Sequence, residues 1–155
     1  MADRRSALRD TLKVANDALL ATLNTLDSPE WNSPSPNDGW SAKDTLAHIT
    51  SIEERERMQI RAILGEGEFP TDDVNIYNER MIAERRGWTV EQLLAELAKS
   101  REATLAILDG IGEEDLDHYF DHPRRGRLTV AGIYEHIAEH TGRHAADIAA
   151  VRPTS

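Results

Sequence analysis

The sequence predicts an all-α protein, a four-helix bundle with an additional short helix in a long crossover. Three observations lead there. Apolar residues recur at intervals of three and four over four long stretches. Aromatic residues make up only 5% of the chain and β-branched ones are scattered, so no strand is expected. Proline and glycine gather between the periodic stretches. A less regular all-α fold is the alternative. The 155 residues suit one domain, residues 1–155.

The first long helix is expected from about Ala7 to Leu26, where Leu8, Leu12, Ala15, Leu19, Leu23 and Leu26 draw one stripe. Ser28-Pro29 through Asn37-Asp38-Gly39 reads as a loop. Trp31 within it and Trp40 after it are packing residues that could also line the bundle mouth. The second helix opens at Trp40-Ser41-Ala42-Lys43-Asp44, with Ser41 as cap, and runs to about Leu64. After the break at Gly65–Pro70, Asp72 to Arg86 is the short crossover helix. Thr89-Val90-Glu91-Gln92 has the form of a capping box and starts the third long helix, through Leu93, Leu97, Leu105 and Leu108. Asp109 to Arg127, rich in glycine and charge, reads as a connection with at most a short helical turn. The fourth helix spans Thr129 to about Val151, capped by Thr129 and stopped before Pro153.

Composition excludes several kinds of function. Without cysteine there is no disulfide, no Cys-ligated zinc or iron–sulfur site and no nucleophilic thiol of the chain's own. A net charge of −10 repels phosphate backbones and anionic membrane surfaces, so neither nucleic acid nor membrane is an expected partner. The start, Met1-Ala2-Asp3-Arg4-Arg5-Ser6, is charged and the apolar runs are short, which gives the expectation of a cytoplasmic protein.

The six histidines are then the soft ligands available. On the fourth helix, at ~100° per residue from Ile133, the apolar stripe centres near ~20°, with His140 at ~−20° and His144 at ~+20°. The two face the core one turn apart, a His-x-x-x-His spacing that lets two imidazoles converge on one ion. Two buried rings with few partners are costly unless something ties them together, so a metal is preferred over two hydrogen-bonded core histidines. His136, at the stripe's edge and ~12 Å along the axis from His144, is too far to join them. On the second helix His48 borders the buried face, flanked by Gln59 at ~20° and Glu56 at ~80°, a polar flank that suits a pocket wall. Arg101 falls inside the apolar stripe of the third helix, either salt-bridged to a carboxylate such as Glu56, snorkelling outward, or holding an anion near the metal. His118 and His122 are also four apart, but Pro123 and the surrounding charge make that spacing a coincidence.

Trp40-Ser41-Ala42-Lys43-Asp44-Thr45-Leu46-Ala47-His48-Ile49 and Glu139-His140-Thr141-Gly142-Arg143-His144-Ala145-Ala146-Asp147-Ile148 together resemble the DinB-like family of four-helix-bundle metalloproteins. The resemblance implies an up-up-down-down bundle, often a homodimer, with a three-histidine metal site at His48, His140 and His144 holding zinc or nickel. Relatives of that kind include thiol S-transferases that use bacillithiol, mycothiol-dependent isomerases and metal-free hydrolases. The expected function is a metal-dependent, thiol-dependent S-transferase or hydrolase acting on a small electrophilic molecule, with a low-molecular-weight thiol as cosubstrate in the first case. Glu56 and Tyr77 are the candidates for acid–base work. The rivals are a non-catalytic metal- or small-ligand-binding stress-response module and a metal-free stress protein with buried histidines.

Overall fold

The computed structural model describes residues 3–36 and 39–151. Asn37 and Asp38 of the predicted loop, and Pro153 beyond the last helix, lie outside them.

Helix α1 (Arg4–Leu23) is capped by Asp3 and buries Leu8, Leu12, Leu19 and Leu23. It stops one turn before the predicted end, and Leu26 instead packs against the core from the connection. Asp27 caps a four-residue helix α2 (Ser28–Trp31), with Glu30 completing a capping box. The predicted loop therefore contains a helical turn, which seats Trp31 in the core. Helix α3 (Ala42–Ile63) carries the Ser41–Asp44 capping box, α4 (Val74–Arg85) is capped by Asp73, and α5 (Val90–Gly110) carries the Thr89–Gln92 box.

The expectation of no strand is corrected between α5 and the last helix. A 3-10 turn (Glu113–Asp117) leads into an antiparallel hairpin of β1 (Tyr119–His122) and β2 (Gly126–Thr129), with Phe120 opposite Leu128. Four-residue strands are too short to show an alternating pattern, and the Pro123 turn masked them. Gly126, at φ +74°, closes that turn in a conformation that L side chains rarely adopt. Helix α6 (Val130–Ala149) follows at once, capped by Thr129.

The four long helices form the predicted bundle. Around it α1 packs on α6, α6 on α3, α3 on α5, and α5 returns to α1. One apolar cluster joins Leu19 and Leu23 of α1, Leu46 and Ile49 of α3, Leu93 and Leu97 of α5, and Ile148 of α6. The other joins Leu8 and Leu12, Ile60, Leu108, and Ile133 and Ile137. The C-terminal ends of α1 and α6 thus share an end with the N-terminal ends of α3 and α5. The up-up-down-down order holds around the bundle, in the sequence α1, α6, α3, α5. Along the chain itself the directions run up, down, down, up. Two neighbouring helices can be parallel here because crossovers, not tight turns, join them.

Between the two apolar clusters lies a polar belt. His48, Glu53, Glu56, Arg57, Gln59, Ser100, Arg101, Thr104, His140, Thr141 and His144 are all buried. Such a layer is costly unless every group is paired or serves a site. No described helix is long and apolar enough to cross a membrane.

Candidate metal centre

The antiparallel contact of α3 with α6 brings His48 level with the His140–His144 pair. Nε2 of His140 stands 3.1 Å from Nε2 of His48 and 3.0 Å from Nε2 of His144. The three side chains offer ligand atoms within 4.8 Å of one another, and no residue of the trio is more than 7% exposed. Trp40 leans on the His48 ring, with centroids 4.9 Å apart.

The donor set fits a divalent ion. Burial pushes the His48 imidazole down to about 3 and His140 to about 2, the neighbouring histidines adding to the effect. His144 is also lowered by burial, against the pull of Asp147. All three rings are therefore neutral near pH 7, each with a lone pair to give. Asp147 Oδ2 lies 3.0 Å from His144 Nδ1 and accepts its proton, which leaves Nε2 as the bare nitrogen facing the trio. One ring nitrogen has a single site, so His140 Nε2 cannot make two good hydrogen bonds at once. His48 Nδ1 is buried without a hydrogen-bond partner among the described residues. Nitrogens bound at about 2.0–2.1 Å in a tetrahedral site stand roughly 3.3 Å apart, close to the spacing seen here. Three ligands of this kind leave a position open for water or substrate.

A metal-free chain carries a measurable consequence of these buried rings. Because the folded values lie below the ordinary 6.5, the unfolded chain binds more protons as the pH drops under 6.5. The contribution to stability is fully present above that pH and is lost as the pH falls from about 6.5 toward 3. Urea midpoints of metal-free protein should already decline between pH 7 and pH 5, before ordinary carboxylates titrate. A flat midpoint over that range would mean that the rings charge freely in the folded state.

Beside the trio lies a cavity of about 700 Å³ lined by α3, the start of α4, α6 and the hairpin turn, and His144 is not part of its lining. His48 and His140 form part of its wall. Glu56 and Gln59, the polar flank expected from the sequence, line it as well. The hairpin turn brings Arg124 and Arg125 to the rim, and stacking of Phe69 on Phe120, with centroids 4.0 Å apart, docks the hairpin against the α3–α4 connection.

Arg101 does not reach this cavity, so its reading as an anion holder beside the metal is corrected. Its Nη1 is 2.8 Å from Glu53 Oε1, a charge contact without hydrogen-bond alignment, and its Nη2 donates to Thr141 Oγ1 at 2.6 Å. The carboxylate partner is thus Glu53 rather than Glu56. The stripe angle placed Arg101 inward correctly, but the choice of carboxylate depended on how α5 sits against α3. Tyr77 is likewise outside the cavity wall, its hydroxyl donating to the Ser51 carbonyl at 2.8 Å. His118 is exposed, while His122 accepts from the backbone amides of Arg124 and Arg125, so the pair shares no helical face.

One pair escaped the sequence reading. His136 Nδ1 lies 2.7 Å from Glu56 Oε1, and both residues line the cavity. The signal for it is the antiparallel run of α3 against α6: two turns on from His48 meets two turns back from His144.

A helical scaffold with three buried neutral imidazoles beside a cavity defines the class: a four-helix bundle built around a candidate metal centre. The chain belongs to the DinB superfamily, whose family model matches residues 11–148. No curated protein matches the sequence. Among solved structures it is similar to YfiT from Bacillus subtilis, described as a probable metal-dependent hydrolase with an unusual four-helix bundle topology. The identity is 16% over 96% of this chain and 85% of that one, with a TM-score of 0.78. It is also similar to TT2238, a four-helix bundle protein, at 20% identity over 92% of this chain and 95% of that one, with a TM-score of 0.66. At these identities the likeness concerns the fold.

Proposed function

We propose that the chain is a metal-dependent enzyme that acts on a small electrophilic molecule in the 700 Å³ cavity, as a hydrolase or as a thiol S-transferase. The observation that carries this reading is the convergence of the buried, neutral His48, His140 and His144, two of which, His48 and His140, line a cavity large enough for a small substrate. A divalent ion held there, zinc or nickel, would polarise the substrate and bring water or a cosubstrate thiol to its reactive anion near neutral pH. The chain's own residues supply the rest. Neutral imidazoles leave the ion its full charge, Asp147 orients one of them, and Trp40 packs against another. Because the chain lacks cysteine, any thiol must come from a cosubstrate. The description of YfiT as a probable hydrolase favours water as the nucleophile.

Elemental analysis of untagged protein tests the first half of the reading, with about one zinc or nickel per chain expected. A metal-free preparation that also fails to take up added zinc would sink it and leave the metal-free stress protein. Turnover of monochlorobimane with low-molecular-weight thiols, set against hydrolysis of activated esters without thiol, tests the second half. Metal without either activity would favour the binding module.

Asp147→Asn is expected to weaken zinc affinity about 10- to 100-fold, the usual effect of removing the partner that orients a ligating histidine. Competition against a fluorescent chelator measures it. Unchanged affinity would mean that Asp147 merely caps the helix end.

A further inference from the structure

Glu56 is a buried carboxyl whose bonding departs from the pattern around it. Three buried arginines stand on α3 and α5, and each is engaged elsewhere. Arg55 pairs with Asp72 at 2.7 Å, Arg57 donates to Ser100 and Thr104, and Arg101 meets Glu53. Glu56, only 4% exposed, has none of these; its partner among the described residues is the imidazole of His136, at 2.7 Å. A carboxyl retained only for stability would gain more from a guanidinium, which offers two parallel donors.

The position of His136 gives the pairing a use. Its side chain is 34% exposed, it lines the cavity, and its ring centroid lies 5.7 Å from that of His140. It is therefore not one of the converging ligands but stands one helical turn from them. A carboxylate that accepts from Nδ1–H selects one tautomer, fixes the ring plane and leaves Nε2 with a bare lone pair.

We infer that Glu56 is a positioning residue that holds His136 with Nε2 open to the cavity, and that His136 takes the proton from the attacking water or thiol. This rests on the metal-dependent reading above. In the step, the O–H or S–H bond of the nucleophile breaks and its proton passes to His136 Nε2, while oxygen or sulfur forms the new bond to the electrophilic carbon. The imidazolium, held in place by Glu56, then returns the proton to the leaving group as that bond breaks. Nothing is oxidised or reduced.

The test uses the full chain loaded with zinc, in wild type, Glu56→Leu and His136→Gln. Long-range nitrogen–proton NMR should show wild-type His136 protonated at Nδ1 with Nε2 bare, and the tautomers mixed in Glu56→Leu. Diethyl pyrocarbonate, which attacks a bare imidazole nitrogen, should modify His136 about ten-fold more slowly in Glu56→Leu, with exposed His118 unchanged, as read by peptide mass spectrometry. Zinc content should stay near one per chain in both variants. With p-nitrophenyl acetate as probe, kcat should fall at least ten-fold in each while KM changes little. A wild-type His136 protonated at Nε2, or equal modification rates in wild type and Glu56→Leu, overturns the positioning role. An unchanged kcat in His136→Gln overturns the proton transfer. Should the wild type bind no zinc while the NMR and modification results hold, the metal reading falls and the positioning by Glu56 stands.

Discussion

His140→Ala is expected to bring metal content from about one ion per chain to background and to abolish turnover. His140 is the shared member of the trio: its Nε2 lies 3.1 Å from that of His48 and 3.0 Å from that of His144. Without it the two remaining nitrogens belong to different helices and have lost the atom between them. Two imidazoles rarely hold a catalytic zinc, which ordinarily has three protein ligands. The helices should survive, because His140 belongs to neither apolar cluster. Far-UV circular dichroism of the variant checks this alongside elemental analysis. His136→Ala is the control and should keep its metal, since His136 is not among the converging ligands. Retention of a full complement of metal by His140→Ala would remove the site.

Glu53→Leu is expected to produce the largest loss of stability, about 3–5 kcal/mol, because it strands buried positive charge. Glu53 is 2% exposed and stands between Arg101 at 2.8 Å and Arg57 at 3.6 Å. Ser100 and Thr104 hydroxyls donate to its Oε2 at 3.0 and 2.8 Å. Removing the carboxylate takes from two buried guanidiniums the carboxylate they pair with. For a domain of this size the loss corresponds to a melting temperature lower by about 6–20 °C. Urea unfolding of the single variant and of Glu53→Leu/Arg101→Met separates causes. The double replacement should recover part of the loss, since an apolar pair needs no counter-charge. A single variant within about 1 kcal/mol of wild type would show that water reaches the belt.

The two results bear on different layers of the molecule, and so does what could be read before folding. Ser41 with Asp44, Thr89 with Gln92 and Thr129 at the last helix were legible because a cap acts within four residues of itself. The inward faces of His140, His144 and Arg101 were legible from helical angle alone. The hairpin at Tyr119–Thr129 was not, since each strand offers four residues and gains its pairing from the other. The partner of Arg101 was not legible either: Glu53 and Glu56 are one turn apart on α3, and only the seating of α5 decides between them.

Periodicity, caps and the absence of cysteine thus determined an acidic helical bundle with histidines turned toward its interior, because these depend on neighbours along the chain. The tertiary structure decided the direction of each helix, the partner of each buried charge, the hairpin that lines the cavity and the pairing of Glu56 with His136. Those contacts join residues 80 or more positions apart in the case of the site, and 92 between His48 and His140. Their energy exists only once separate helices are packed, which no local pattern encodes.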